Sequence, residues 1–507
     1  MSNNRQIAKN LIYNSLSFGL NLIISFFFTP YLITSVGKEA YGFYPLIENF
    51  IGYSEIIVAA VGSMAGRYIT ISYYKGDLKE SCIYFNTVVY SYFILSALFT
   101  VGGIILVWNI SSLLDIPQYL EGDIKYLCLF ALFSLSVKLA TANFGLGAYL
   151  KNRIDLQSSR KVLINIVRVL GTIFLFFFFK ASIVFMSLAA FIAAIVGGAF
   201  DIQLKYKLIP EFELCFSKYF KKKFLYTLLS SGIWMSVNNL GNVLTISLDL
   251  LICNLIVGVS ETGDFSISKT MPSLLLSVGA MLASTFTPHF NILLAKGQNI
   301  ELLREINKSM FLITIITSFP TGYLMINSDF FLSLWVPDAY SDSLYILSVI
   351  SIIPLVFGLC TNTLFDIFTI TNKRKIPALA LVITGVIHIL LSFFLLTQTK
   401  LGVYAIALSG TITMTLRNLI FTPIYGAICL NEKWTIFYSV ISKCLLCMVI
   451  VSTITFVSRY VIPVYNWLSF AISFTSVVAI SSIVFYFILF DKQERLVINS
   501  IIKKIKK

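Results

Sequence analysis

Residues 35–55 read SVGKEAYGFYPLIENFIGYSE. A short turn around Gly37 and Gly42 leads into an apolar, aromatic run. That run carries two carboxylates, Glu48 and Glu55, seven residues apart. On a soluble helix such acids would be ordinary. Here the surrounding 507 residues are 57% hydrophobic and only 12% charged, with a mean hydropathy of +0.86. Soluble domains carry about 25% charged residues, and half of that leaves too little polar surface to coat a water-soluble particle. The apolar runs are about 20 residues or longer and do not alternate, which predicts membrane-spanning helices and not barrel strands. Both glutamates therefore lie inside a predicted span, where a central charge costs about 2.5–3.5 kcal/mol on insertion scales.

Fourteen apolar spans follow from hydropathy: 11–34, 43–66, 83–108, 125–149, 162–179, 181–204, 224–257, 265–291, 309–331, 344–371, 377–398, 402–430, 435–458 and 464–490. The seventh is long enough to bend. The fold class expected is an all-α polytopic membrane protein. With the N-terminus placed inside, 28 Lys and Arg residues fall on inner segments and six on outer turns or nearby span ends. That contrast predicts both termini on the cytoplasmic side. The net charge of +14 is then an orientation signal and an attraction to anionic lipid; no nucleic-acid partner is needed to explain it.

Several chemistries are not expected. The eight cysteines are scattered, and the one CxxC, Cys444 and Cys447, sits in the apolar stretch KCLLCMVIV, whereas zinc and redox sites need polar surroundings. No His, Cys or carboxylate cluster has metal-ligand spacing, so no metal and no cofactor is expected. No GxxxxGK[ST] loop occurs, so ATP hydrolysis is not expected. The first apolar run lacks a small-residue cleavage site, and no signal peptide is expected.

Comparing residue n with n+221 exposes an internal repeat. Val36-Gly37 meets Val257-Gly258, Gly42 meets Gly263, Lys75-Gly76 meets Lys296-Gly297, and Asn86 meets Asn307. Asn21 meets Asn242, Ser63 meets Ser284 and Glu80 meets Glu301. The repeated unit is a hairpin of two spans with a tight outer turn and an inner Lys-Gly turn. A shift of six spans keeps both copies facing the same way, which relates them by an axis along the membrane normal. The expected organisation is a six-helix bundle over 1–204, a basic linker over 205–223, a second six-helix bundle over 224–430, two further helices over 431–490 and a basic tail over 491–507. The linker is basic and aromatic, suited to lying on the inner surface.

Two six-span bundles with two extra spans resemble the polysaccharide flippases of the Wzx type, within the larger group of MATE-like antiporters and the lipid II flippase. The residues that carry this resemblance are TPYLITSVGKEAYGFYPLIENFIGYSEIIVAAVGSMAGRYI, residues 29–69, and KGDLKE, residues 75–80. The resemblance implies a MATE-like fold and an alternating-access carrier. The implied carrier takes undecaprenyl-pyrophosphate-linked oligosaccharide repeat units to the outer leaflet of a bacterial inner membrane, for O-antigen or other surface polysaccharide. It also makes a polysaccharide polymerase a candidate partner, beside membrane lipids.

The residues themselves suggest a polar route through the spans. Lys138, Arg168 and Arg417 are deep cations, and arginine's planar fork suits phosphate oxygens; these three are the candidate headgroup contacts, with Lys269 a fourth. Glu48 and Lys269 occupy equivalent places in the two hairpins and form a candidate outer gate. Glu55 lies about two turns deeper than Glu48 on nearly the same face. It is a candidate coupling carboxylate for H⁺ or Na⁺, with Asp249 and Asp366 as rivals. His388 is expected to be a packed, hydrogen-bonding residue. The competing readings are a cation-coupled drug or metabolite antiporter of the same fold, which would favour an acidic cavity, and a membrane enzyme of polysaccharide assembly. An enzyme is not expected, because the outer loops are short and no polar catalytic domain is present.

Overall fold

The structure, a computed structural model, describes residues 3–490 together with Arg495, with the side chains of residues 3–8, 11 and 217 left aside. The expected basic tail over 491–507 thus lies outside the described residues apart from Arg495. Fourteen helices among the described residues are long and apolar enough to cross a membrane. In chain order they are α1 (Ile12–Val36), α2 (Lys38–Tyr74), α3 (Leu78–Trp108), α4 (Gln118–Thr141), α5 (Ile154–Phe178), α6 (Ile183–Leu208) and α7 (Lys222–Ile256). The second seven are α8 (Val259–Ala295), α9 (Asn299–Trp335), α10 (Asp342–Thr361), α11 (Lys375–Gln398), α12 (Val403–Cys429), α13 (Tyr438–Val461) and α14 (Trp467–Ile488). No strand occurs among the described residues. The chain is a multi-pass, all-α membrane protein, as the hydropathy predicts.

The ends differ from the hydropathy reading where a polar first turn extends a helix. Helix α3 begins at Leu78 because Asp77 caps it, its carboxylate accepting the Glu80 N–H at 2.8 Å; a hydropathy window cannot see such a cap. Helix α5 begins at Ile154, eight residues before the apolar run. Arg168 therefore lies about 21 Å along α5 from Ile154, at 1.5 Å per residue. Helix α7 contains a π-turn at Val243–Ser247.

The repeat is visible in the turns. Gly37, Gly258, Gly76 and Gly297 all take left-handed φ, at 84°, 146°, 84° and 70°, which only glycine adopts without cost. At the two Lys-Gly turns the next amide closes the same capping bond, Asp77 N to Ser72 O at 3.1 Å and Gln298 N to Leu293 O at 3.0 Å. A further pair escapes the 221-residue offset. Asn152 and Asn372 have φ of 53° and 56°. Each ends a short helix after α4 or α10, Leu146–Leu150 and Leu364–Ile370. Their offset is one residue shorter, so a gap-free comparison misses them.

By packing, the described chain groups into two units. One holds the residues up to Ser266 with Leu381–Val386, the other Ile267–Ala380 with the residues from Ile387 onward. Helix α7 thus packs with the first six helices. In the first unit, α4 lies along α6 and α3. Asp201 on α6 is 3% exposed and pairs with Arg160 on α5 at 2.5 Å. At the inner end, in the orientation expected from the charge sorting, the buried Asp155 carboxylate takes Lys9 at 3.0 Å and Arg153 at 3.0 Å. In the second unit, α9 packs on α13 and α10, and Arg459 on α13 reaches Asp329 at 2.5 Å and the Ile326 carbonyl at 2.8 Å.

The linker after α6 is docked on the first unit through its apolar residues. Ile209 and Phe212 are fully buried among Ile69, Phe85 and Leu150. Asn86 on α3 clamps the backbone, donating to the Glu213 carbonyl at 2.8 Å and accepting from the Cys215 N–H at 3.0 Å. Nearby, the hydroxyl of Tyr73 binds both Lys151 and Glu211, and it holds the Lys151 amine above its ordinary pKa. Asn86→Ala removes both hydrogen bonds to the linker backbone, at about 0.5–1.5 kcal/mol for each. Faster proteolysis between residues 204 and 224 is the expected sign; a rate unchanged from the parent would show that the clamp does not hold the linker.

Candidate functional site

Helix α2 carries Glu48 and Glu55, and its tyrosines lie within electrostatic reach of Arg168 and Asp249. Its first turn begins at Lys38, directly after the left-handed Gly37. Four residues on, Gly42 meets its repeat mate: a β-carbon on Gly42 would lie 2.9 Å from Gly263 Cα, and one on Gly263 would lie 2.7 Å from the Lys38 carbonyl oxygen. The two backbones touch where both copies carry glycine. Beside this crossing, Lys38 Nζ binds the Asp264 carboxylate at 3.1 Å, with the Asp264 side chain only 7% exposed.

Below the crossing, α2 runs along α7. Asn49 and Tyr53 donate to the Ser247 carbonyl, each at 3.3 Å. Ser247 closes the π-turn of α7, and a π-turn frees a carbonyl from the regular ladder. Further down, Asn239 Nδ2 donates to the Glu55 carbonyl at 3.2 Å. A β-carbon on Gly232 would sit 2.2 Å from the Ala60 carbonyl oxygen, and Tyr68 shares a 2.9 Å hydrogen bond with Ser231. Side-chain bonds and backbone contact thus join α2 to α7 along much of their length.

At mid-depth in the first unit the structure brings three groups together. The Arg168 guanidinium and the Glu48 carboxylate both lie within electrostatic reach of the Tyr44 hydroxyl. Glu48 is exposed on α2 and Arg168 half-buried on α5. The Nε of Arg168 is buried without an acceptor. Lys138 and Glu55 are exposed on α4 and α2. Asp249 on α7 is 5% exposed, within electrostatic reach of Tyr53.

The second unit holds the rest. Arg417 opens a π-turn in α12 at Arg417–Phe421, half-buried, with its guanidinium carbon 5.1 Å from the Phe365 ring centroid and its Nε without an acceptor. Asp366 is half-buried, its Oδ2 without a hydrogen-bond donor, and Thr287 lies near it. Lys269 sits at the one-residue break between the first two helical stretches of α8. His388 is fully buried, its Nδ1 2.9 Å from the Ser409 hydroxyl, the packed role expected of it. Among the described residues no carboxylate lies within ion-pair distance of Lys138, Arg168 or Arg417. No group of three or more potential metal ligands occurs among them either.

Three features were not read from the sequence. Tyr44 looked like one interfacial tyrosine among several. Asn86 was noticed as a repeat match without a task. Lys38 and Asp264 were counted as outer charges and not paired. The last had a usable signal, since opposite charges flank the two glycines that the repeat superimposes.

Comparison with known proteins bears on this geometry. A family model described as polysaccharide biosynthesis protein matches residues 7–291, more than half of the chain. The uncharacterized membrane protein EpsK of Bacillus subtilis (strain 168) is 27% identical over 502 residues, covering 98% of each chain. A protein of Shigella flexneri, named as a proposed O-antigen transporter, is 23% identical over 434 residues, covering 83% of this chain and 98% of its own. The solved structure of the lipid II flippase MurJ in an inward closed conformation superposes with a TM-score of 0.67 at 14% identity, over 95% of this chain and 98% of that one. At that identity the likeness is one of fold, and the fold is the MATE-like one that the residues of 29–80 suggested.

Proposed function

Because this chain belongs to the polysaccharide biosynthesis protein family, we propose that it is a carrier that flips an undecaprenyl-pyrophosphate-linked oligosaccharide. The cargo passes from the cytoplasmic to the outer leaflet of a bacterial cytoplasmic membrane, and both termini lie inside. The single observation that carries the choice of an anionic cargo is the state of the deep cations. Lys138, Arg168 and Arg417 stand in or beside spans with no carboxylate in ion-pair distance among the described residues. An unpaired cation is costly in a membrane protein unless water or an anion reaches it, and phosphate oxygens suit both arginines. Lys269 is proposed as a further headgroup contact on other grounds, its place within a span. The relatives support the direction, one bearing the name of an O-antigen transporter and one fold neighbour that of a lipid II flippase.

In this reading the protein makes and breaks no covalent bond. Each cation offers the headgroup a partial replacement for water, so the barrier to crossing is divided into small steps. Uphill or directed transport then needs a coupled ion, and Glu55, Asp249 and Asp366 are the proposed sites for H⁺ or Na⁺. The decisive experiment is deletion in the source cell. Lipid-linked repeat units are expected to build up on the cytoplasmic leaflet, detected by their protection from an added glycosidase, and re-expression is expected to clear them. Normal outer-leaflet display in the deletion strain would refute the reading.

A further inference from the structure

Two repeats related by an axis along the membrane normal leave their equivalent residues apart everywhere except on the axis itself. Gly42 and Gly263 are equivalent residues, and a β-carbon on one would lie 2.9 Å from the α-carbon of the other. The outer ends of α2 and α8 therefore cross on the axis. A passage for a headgroup along that axis is closed at this level by two backbones in contact. Neither helix can shift past the other by rotating a side chain, because no side chain is there.

A directional interaction accompanies the crossing. Lys38 binds Asp264 at 3.1 Å. Under the repeat the equivalent positions are Val259 and Phe43, which carry no charge. The asymmetry matters: the ion pair has no charged counterpart under the repeat. Surrounding outer segments are tied within the same unit, Asn254 exchanging hydrogen bonds with the Asp115 backbone at 3.1 Å and 3.1 Å, and Tyr119 donating to Glu39 at 2.7 Å.

We propose that the Gly42–Gly263 crossing is the outer seal of the transport path and that Lys38–Asp264 is its latch, which parts each time cargo leaves. This rests on the carrier reading above but names a different set of residues from those that meet the headgroup. Glycine is required at 42 and 263 so that the closed state is tight. The ion pair is required so that the seal does not drift open.

The test places a reporter below the seal. Glu48→Cys, ten residues inward of Lys38 and exposed, is labelled in whole cells by a membrane-impermeant maleimide. The chain without that cysteine gives the background. Lys38→Asp, which sets two carboxylates against each other, is expected to raise the labelling rate severalfold, and the swapped pair Lys38→Asp with Asp264→Lys to bring it back. A bis-methanethiosulfonate, each end of which forms a disulfide with one cysteine and releases methanesulfinate, is expected to stop export when it bridges Lys38→Cys and Asp264→Cys, until a reductant cleaves the disulfides. Labelling of Lys38→Asp at the parent rate, or export that continues through a completed cross-link, would overturn the proposal. The labelling arm needs no cargo, so it stands or falls independently of the cargo assignment; expression at the parent level checks that each variant folds.

Discussion

Arg168→Gln is expected to cut export of the lipid-linked saccharide by at least about tenfold, and adding Glu48→Gln to it is expected not to bring export back. The argument starts from what surrounds the guanidinium. Arg168 lies roughly 21 Å along α5 from its first residue, within electrostatic reach of the Tyr44 hydroxyl, as is Glu48. Two roles are compatible with that position. The cation either balances the Glu48 charge and nothing more, or it also receives the headgroup. In the first case removing both charges restores a neutral site and near-normal export. In the second the double variant stays defective, because a charge-assisted hydrogen bond to the phosphate, about 1.5–3 kcal/mol, is still missing. At 1.4 kcal/mol for each factor of ten, the loss is roughly 10- to 100-fold. Arg168→Lys keeps the charge without the fork and is expected to fall between. Full export by the double variant would remove Arg168 from the path.

The second large effect is on stability. Arg160→Ala leaves the Asp201 carboxylate, 3% exposed, without the guanidinium 2.5 Å away. The carboxylate has no room to turn toward water past α4, since a β-carbon on Gly145 would already lie 2.8 Å from Asp201 Oδ1. Breaking a buried pair from one side costs about 3–5 kcal/mol, whereas replacing both members with apolar residues is often close to neutral. The half-life of detergent-solubilised protein at a fixed temperature should therefore fall steeply for Arg160→Ala and recover for Arg160→Met with Asp201→Leu. A single variant as long-lived as the parent would mean that the pair adds nothing to the first unit.

These two clusters differ in how far the sequence exposed them. Arg168 was a candidate because a charge inside an apolar run is conspicuous in one dimension. Its depth along the helix follows from the polar turn, IDLQSSRK, with which α5 starts eight residues before the apolar run. Its neighbour Tyr44 is inconspicuous, since a tyrosine between two glycines and a proline reads as interfacial wherever it points. Nothing in the sequence pairs Arg160 with Asp201, although they form one of the most buried ion pairs of the first unit.

Composition and hydropathy by themselves determined the membrane class, the fourteen helices and the repeat. Each is a sum over a segment against a slab of oil, or a local backbone demand at Gly37, Gly76, Gly258 and Gly297, so neighbours in space do not enter. Only the tertiary structure decided which charges meet. Glu48 and Arg168 both come within electrostatic reach of Tyr44, and Lys38 finds Asp264. Helices apolar on nearly every face carry no stripe that fixes their rotation, and partners across helices are chosen by backbone approach, as at Gly42 and Gly263, which has no trace in a hydropathy profile.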